Sequence, residues 1–323
     1  MSVFVAEELS EVLNTKVVIG RINMGLLNRI IIDDVLLDDQ SGQEMLKVTR
    51  LSAKFDIMPF FKGKISISSV QLFGFNINLR KETPDSPPNF KFVLDAFASK
   101  DTVKKENSLD LRINSILIRR GRMSYHVLSE EETPGKFNAK HIQLQNIIAN
   151  ISLKALSKDS LNLGIKRLSL DEKASGFSLK KMSLKLVANN KQTNIDNFTI
   201  ELPETSLKLD TIHLEYDSLK AFDRFTEQVH FSFRTLPSQV TLKDISPFVP
   251  ILSHFKEPVT LDMEVKGTVD QLTCSHLEIT ADDRQFRLRG DVSLQDLSRP
   301  QDAYVYGTLS ELSANTRGVG FSA

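Results

Sequence analysis

Apolar residues recur along this chain at positions i, i+2, i+5 and i+7. The clearest copy is Ile65, Ile67, Val70 and Leu72, within the run ISISSVQL. A helix advances about 100° per residue, so these four side chains would scatter around it and form no stripe. A regular strand alternates its faces and would send the second pair to the opposite side. The spacing therefore predicts a strand that absorbs one extra residue in a bulge or bend and keeps its apolar side chains on one face.

The same spacing occurs in eight further segments, at irregular intervals. They are Val17/Ile19/Ile22/Met24, Ile30/Ile32/Val35/Leu37, Leu46/Val48/Leu51/Ala53, Leu111/Ile113/Ile116/Ile118, Phe137/Ala139/Ile142/Leu144, Leu163/Ile165/Leu168/Leu170, Phe177/Leu179/Met182/Leu184 and Leu207/Leu209/Ile212/Leu214. Irregular intervals argue against a solenoid with a fixed repeat length. The segments predict many bent strands of one kind. After Leu72, a plain alternation is predicted through Phe73, Phe75, Ile77 and Leu79.

Helical spacing interrupts the strand pattern in a few places. Ser2 can cap an N-terminal helix that carries Val5, Leu9 and Val12 on one side and stops near Asn14. Small helical insertions are predicted near residues 89–98, 218–227 and 244–255.

These elements predict a mainly β fold. An elongated, curled antiparallel sheet would form an open, β-taco-like groove, because short polar connections favour antiparallel neighbours. The N-terminal helix would occupy residues 1–15, and one continuous groove-shaped region would occupy residues 16–323, with the helical insertions inside it.

Composition narrows the classes of function. Lysine plus arginine and aspartate plus glutamate both number 41, so the net charge is zero, which argues against a nucleic-acid binder. Phenylalanine numbers 20, tyrosine 4 and tryptophan 0, so almost all aromatic surface lacks a polar group and suits a dry apolar surface. The single cysteine, Cys274, allows no intrachain disulfide and leaves the compartment open.

The ends of the sequence suggest a piece of a longer protein. Met1 and Ser2 lead straight into the helix, no signal peptide is present, and no apolar run reaches the roughly 18 residues that span a bilayer. The last residues, NTRGVGFSA, contain no recognisable cap. A membrane anchor could therefore belong to the parent protein.

Candidate catalytic chemistry is sparse. The six histidines include no H-x-H or H-x-x-x-H pair, so each is interpreted as an ordinary polar-face residue. The acidic residues between Asp33 and Glu44 (Asp33, Asp34, Asp38, Asp39 and Glu44) lack the order of a calcium loop and are interpreted as solvated turn residues. Phosphate-binding loops and nucleophile elbows are also lacking. The sequence favours a protein that is not an enzyme and needs no cofactor or metal.

The apolar strand faces allow two interpretations. Two sheets could close against each other and make every apolar side chain part of a core, which is the commoner arrangement. Alternatively, the bent sheet could curl into a trough too wide for side chains to fill, which would hold acyl chains.

Residues Val3 to Leu79 resemble the start of AsmA-like envelope proteins, and most closely the TamB family. The resemblance lies in the helix end at Asn14-Thr-Lys followed by the motifs VVIGRINM (17–24), IIIDDVLLDDQSG (30–42), MLKVTRLSAKF (45–55) and GKISISSVQL (63–72). The later runs ISPFVP (245–250) and VTLDMEVKG (259–267) are similar to the family's internal repeat.

The resemblance implies a periplasmic segment of a Gram-negative envelope protein that is anchored to the inner membrane by a helix absent from this sequence. Such a protein bridges the inner and outer membranes and carries phospholipids or other amphiphiles along its β groove, without catalytic residues. The alternative is a translocation and assembly factor that templates strands of outer-membrane proteins or autotransporters. An outer-membrane barrel of the BamA/TamA class would be met through a C-terminal region that these residues do not show.

The predicted groove lining combines both lines of reasoning. It consists of Ile65, Ile67, Val70, Leu72, Phe75, Ile77, Leu111, Ile113, Leu163 and Ile165.

Overall fold

The structure of the protein is a computed structural model that describes residues 2–26, 28–55, 65–98, 109–110, 114–156, 160–281, 286–299 and 302–314. The described chain is mainly β, with a short N-terminal helix and small helical segments between strands, as the apolar spacing predicts. It divides into two compact units. The first unit comprises Met1–Ser152 with Arg167–Ser178, and the second comprises Leu153–Lys166 with Leu179–Ala323.

The chain up to residue 172 contains two helices and eight strands in its described part. In order they are α1 (Ser2–Leu13), β1 (Val17–Gly25), β2 (Arg29–Asp38), β3 (Glu44–Phe55), β4 (Ile65–Lys81), α2 (Lys91–Ala98), β5 (Leu109–Asp110), β6 (Ser115–Val127), β7 (His141–Leu156) and β8 (Ser160–Glu172). Strands β7 and β8 contribute residues to both units.

The described remainder of the chain continues with strands and short helical turns. The strands are β9 (Ser178–Asn189), β10 (Gln192–Glu201), β11 (Ser206–Leu209), β12 (Ile212–Glu215), β13 (His230–Arg234), β14 (Ser238–Val240), β15 (Val259–Thr268), β16 (Gln271–Ala281), β17 (Phe286–Gln295) and β18 (Tyr304–Ala314). The helical turns are a 3₁₀ helix at Leu219–Arg224, α3 at Phe225–Gln228, and 3₁₀ helices at Leu242–Ile245 and Pro250–His254.

Strand pairing in the first unit follows the chain with one exception. Strands β1 to β4 pair antiparallel in sequence order, and β6 pairs antiparallel with β7. Strand β4, however, pairs parallel with β6 and with the two residues of β5. A parallel neighbour needs a long crossover, and residues 82–114, which include α2, supply it. The prediction of an antiparallel sheet is confirmed, and the pairing of β4 with β5 and β6 is its parallel exception in the described part of this unit.

Four residues in the left-handed backbone region bend the first unit's strands at one level. Asp34, Gly74, Arg120 and Asn146 have φ values of 57°, 64°, 55° and 55°. In the β2–β3, β3–β4 and β4–β6 pairs, the residues at the bend are unpaired, and the pairing continues in the same register on its other side. The unpaired positions therefore lie opposite one another in neighbouring strands: Asp34, Thr49, Gly74 and Arg120. The β6–β7 pairing shifts register at the same level, next to Asn146. We call this alignment the bend line.

The bend line accounts for the i, i+2, i+5, i+7 spacing. A strand residue in the left-handed region changes the phase of the alternation, so apolar positions on either side of it stay on one face. In β2, Asp34 fills the step between Ile32 and Val35. In β3, the level of Thr49 falls between Val48 and Leu51. The predicted bent strand is confirmed in β2. In β3, no described residue is left-handed, but Leu46, Val48 and Leu51 still share one apolar cluster, as the spacing predicts.

The β3–β4 register shifts at Ser68, between Ile67 and Val70, where the spacing predicts an extra residue. A predicted alternation in β4 and a predicted copy before β7 are corrected. In β4, Gly74 shifts the phase, so Phe73 lies on the opposite face and is 38% exposed; the plain alternation from Phe73 to Leu79 is wrong. The same-face set is Val70, Leu72, Phe75 and Ile77, which has the bent spacing itself. Phe137 and Ala139 lie in the loop before β7, and the copy in that strand is Ile142, Leu144, Ile147 and Ala149, around Asn146.

The second unit repeats the device with different residues. Asn197 in β10 and His276 in β16 have φ values of 53° and 51°, and the strand register shifts beside each of them. The copy from Leu207 to Leu214 is two strands, β11 and β12, which both pair with β10 on either side of Asn197. At the level of this bend, the chain leaves the strand conformation between β11, which ends at Leu209, and β12, which begins at Ile212.

A glycine–aromatic contact occupies the bend line in the first unit. Gly121 follows Arg120 directly, and a Cβ atom on it would lie 2.4 Å from Cζ of Phe75 and 3.0 Å from Cβ of Ile147. The ring of Phe75 therefore rests on bare backbone, and only glycine fits beneath it.

We predict that Gly121→Ala lowers the free energy of unfolding by about 1–3 kcal/mol, the usual cost of overpacking a filled site. In a Phe75→Leu background the same substitution should cost clearly less, because the clashing ring atoms are gone. Urea unfolding of the four variants measures both costs. Equal costs in the two backgrounds would show that the ring does not determine the glycine.

Candidate functional site

Twelve apolar side chains from six strands form one packed surface in the first unit, which we call the apolar face. Three of them are buried and nine are partly buried. The members are Val35, Leu46, Val48, Leu51, Leu72, Phe75, Ile77, Ile118, Met123, Leu144, Ile147 and Leu170. Every member belongs to a strand, and most lie within three residues of the bend line.

Burial on the apolar face is greatest at the bend line. Val48, Phe75 and Ile147 are 4%, 8% and 8% exposed, whereas the other nine members remain half-buried. Side chains on the inside of a bend crowd together, so this distribution indicates that the strands bend toward the apolar face. Facing sheets of a closed sandwich interdigitate and bury their inner side chains. The described part of this face keeps most of its side chains partly accessible to solvent.

The structure brings part of the predicted lining together. Leu72, Phe75 and Ile77 belong to the apolar face, and Val70 in the same strand is half-buried and pairs with Ala53 and Ile116. Leu163 and Ile165 are half-buried in β8, among residues of the second unit. The side chains of Ile65 and Ile67, and residues Leu111 and Ile113, lie outside the described residues.

Met123 and Ile147 are members of the apolar face that the sequence analysis missed. Met123 was missed because Gly121 occupies the third position of its copy. Ile147 was missed because the copy that contains Ile142 and Leu144 was started too early, at Phe137. A search for the spacing that allowed glycine at the third apolar position would have found Ile116, Ile118, Gly121 and Met123.

Helical residues cover one end of the first unit's sheet. Ala6, Val17, Ile19, Leu37 and Met45 are buried in a cluster joined by Leu13 of α1 and by Phe90, Phe92 and Val93 around the start of α2. The predicted apolar side of α1 is wrong, because Leu9 and Val12 are 40% and 48% exposed. The helix instead presents small residues to β1: Ala6 is buried, and the Ser10 hydroxyl accepts a hydrogen bond from Val17 N at 3.0 Å.

Asp39 joins this helical cover to the sheet. Its Oδ1 accepts hydrogen bonds from the backbone amides of Ser41 (3.0 Å) and Gln43 (3.1 Å) in the β2–β3 turn. Its Oδ2 lies 2.6 Å from Arg80 Nη2 at the end of β4 and accepts from Asn89 Nδ2 at 3.2 Å, just before α2. Burial alone would raise the pKa of Asp39, but the hydrogen bonds from Ser41, Gln43 and Asn89 outweigh it and lower the pKa below its usual value.

The acidic residues of β2 are thus only partly solvated, which corrects the prediction. Asp39 is 2% exposed, and Asp33 is 5% exposed with its Oδ1 2.6 Å from Arg50 Nε. The hydrogen bond from Arg50 lowers the pKa of Asp33. Asp34 is exposed at the bend, as expected. Both buried carboxylates have their own arginine, so they serve as structural ion pairs.

A cavity of about 640 Å³ lies beside the helical cover. Apolar side chains such as Val12 and Phe92 line it together with the cations Arg80, Lys81 and Lys91. Each of these cations already has an oxygen partner: Asp39 for Arg80, the Pro84 carbonyl for Lys81 and Asp95 for Lys91. The cavity therefore has a lining of apolar and charged side chains, and each of these three cations is already paired with an oxygen atom of the protein.

Two histidines meet at the loop end of the β6–β7 hairpin. His126 and His141 pair in register, and their Nδ1 atoms are 3.0 Å apart. Their separation in sequence fits no short metal motif. The signal that could have found them is the hairpin itself, which places His126, the last but one residue of β6, opposite His141, the first residue of β7.

None of the helices in the described residues is long and apolar enough to cross a bilayer. Comparison of the chain with protein-family models, with curated proteins and with solved structures gives no match. The resemblance to the TamB family therefore stays a prediction.

We predict that Asp39→Asn destabilises the chain by about 3 kcal/mol near neutral pH, because it leaves the largely buried Arg80 guanidinium without its counter-charge. A carboxylate whose pKa is lowered by folding stabilises the fold above its unfolded pKa, about 3.9, and this stabilisation is lost as the pH falls through the folded pKa. The difference between wild type and variant should therefore shrink below about pH 4. Urea midpoints measured across pH 3–7 check this.

The matched control is Asp85→Asn, at an exposed position in the polar loop before α2. It should change the urea midpoint little at any pH. A stability difference for Asp39→Asn that stays constant from neutral to acid pH would contradict the assigned role.

Proposed function

We propose that the apolar face binds the acyl chains of phospholipids or similar amphiphiles, and that this chain is a periplasmic segment of a protein that carries such lipids between the inner and outer membranes. The observation that carries the proposal is the twelve-residue apolar face drawn from six strands, nine of whose members remain half-buried. An extended, partly exposed apolar surface needs a ligand, a lid or a partner to cover it.

Acyl chains suit this surface physically. Each CH₂ group that leaves water for an apolar contact gains roughly 0.8 kcal/mol of free energy. The apolar face of a β-sheet does not select sharply for the length of an acyl chain. The bend line keeps the apolar positions of successive strands on one side. An acyl chain lying across the strands would therefore meet the half-buried Leu51, Leu72 and Ile118, which lie opposite one another. Head groups would stay in water. The proposal requires no catalytic step and no cofactor.

The envelope setting of the proposal rests on the resemblance to the TamB family. It includes a Gram-negative periplasm, an inner-membrane anchor outside these residues, and a barrel of the BamA/TamA class as a partner of the parent protein. The lone cysteine, Cys274, is buried, and burial raises the pKa of its thiol, which is compatible with an oxidising compartment.

A second candidate function has an observation of its own. Strand β18 pairs with β17 and with no other strand of the described residues. It exposes Tyr304 (69%), Val305 (68%), Tyr306 (64%), Leu309 (53%) and Leu312 (62%). An unpaired edge rich in β-forming side chains can add a strand from another chain, which is the templating alternative.

The lipid proposal predicts that Leu72→Asn and Ile77→Asn each weaken binding of a phospholipid about tenfold, since each loses about 1–3 kcal/mol of apolar contact. The purified chain is incubated with phosphatidylethanolamine–phosphatidylglycerol vesicles and reisolated, and mass spectrometry counts the bound lipid. Phe73→Asn is the matched control, because this neighbour of Leu72 is apolar but lies on the opposite face. It should leave the bound lipid unchanged.

Absence of bound lipid from the wild-type chain, or equal losses for Leu72→Asn and Phe73→Asn, would contradict the proposal. The templating alternative gives a different result. Binding of an extended peptide with alternating apolar residues would survive Leu72→Asn and would be lost when Val305 is replaced by proline, which cannot donate to a strand ladder.

A further inference from the structure

The loop end of the β6–β7 hairpin gathers three potential metal ligands. His126 Nδ1 is 3.0 Å from His141 Nδ1 and 4.0 Å from Glu132 Oε1, and the ligand atoms of the three residues all lie within 4.8 Å of one another. His141 is 6% exposed, His126 is half-buried and Glu132 is exposed. All three belong to the first unit, and none of them is a member of the apolar face.

The hydrogen bonds define which nitrogen of His141 is available. Its Nε2 lies 2.9 Å from the backbone carbonyl oxygen of Glu130. A carbonyl oxygen can only accept, so Nε2 carries the hydrogen and, in the neutral ring, Nδ1 carries a lone pair. That lone pair faces His126 and Glu132. A ring N–H held by a backbone carbonyl is the usual arrangement that orients a metal-ligating histidine.

We propose that His126, His141 and Glu132 bind a divalent transition metal of the zinc class. Zinc–nitrogen bonds of about 2.0–2.1 Å at tetrahedral angles place two ligand nitrogens about 3.3 Å apart, close to the separation of the two Nδ1 atoms. Two imidazoles and a carboxylate form a donor set that zinc accepts, with the fourth position left for water. Lys140, the neighbour of His141 in the chain, has its charge committed elsewhere, because its Nζ is 2.6 Å from Glu130 Oε2.

The site would fasten a loop to the sheet. Glu132 belongs to residues 128–140, which connect β6 with β7, whereas the two histidines are strand residues at the base of that loop. A shared ion would therefore link the loop to the hairpin end. This inference is independent of lipid binding, because it uses no residue of the apolar face.

The experiment measures zinc affinity of the full chain without an affinity tag. Protein treated with a chelator and dialysed is titrated with zinc chloride against a chromophoric competitor, and cobalt chloride gives the visible spectrum of a tetrahedral site. One ion should bind per chain. His126→Ala should lower the affinity by more than about 100-fold, beyond the loss typical of outer-shell partners, and Glu132→Gln by about tenfold.

The control is His254→Ala, which removes an exposed histidine whose Nδ1 lies beside the Ile251 carbonyl. It should bind zinc like wild type. The test relies on His126 and Glu132 because replacement of the buried His141 could disturb folding, and circular dichroism verifies that each variant is folded. Equal affinity of wild type and His126→Ala, an equal loss in His254→Ala, or no binding by wild type would overturn the proposal and leave the two rings joined by a hydrogen bond alone.

Discussion

A left-handed backbone residue at the same level in neighbouring strands is the constraint on which the first unit depends. Side chains alternate along a strand, so a bend made by one extra residue would normally turn the apolar side outward. Asp34, Gly74, Arg120 and Asn146 bend β2, β4, β6 and β7 together, and the apolar spacing changes phase at each of them. Sequence and backbone thus agree, and one apolar face continues across the bend.

The bend also explains the packing around it. The three buried members of the apolar face lie at the bend line, where Phe75 covers Gly121, and the other nine members are half-buried. At one end of the unit, Asp39 connects the β2–β3 turn, β4 and the start of α2, so the helical cover is held by a buried ion pair as well as by apolar contacts. The helical cover is separate from the apolar face, whose twelve members all lie in strands.

Local features of the sequence predicted most of what is local in the fold. The i, i+2, i+5, i+7 spacing predicted bent strands because alternation and bulges act within a few residues. It misplaced Phe73 because Gly74 adds a second bend to β4, beyond the register shift at Ser68. Contacts between distant residues were beyond its reach: the Arg50 and Arg80 partners of Asp33 and Asp39, the parallel β4–β6 pair, and the meeting of His126 with His141 all depend on which strands become neighbours.

The central claim is that the bend line keeps one apolar face continuous and available to acyl chains. Photo-crosslinking along β4 tests both halves of it: benzoylphenylalanine is placed at single positions from 70 to 78, and crosslinks to vesicle phospholipid are counted. The account predicts strong crosslinks at Val70, Leu72, Phe75 and Ile77 and weak ones at the positions between them. Crosslinks that instead keep strict alternation through Gly74 and Asn76, or that occur at no position, would contradict it.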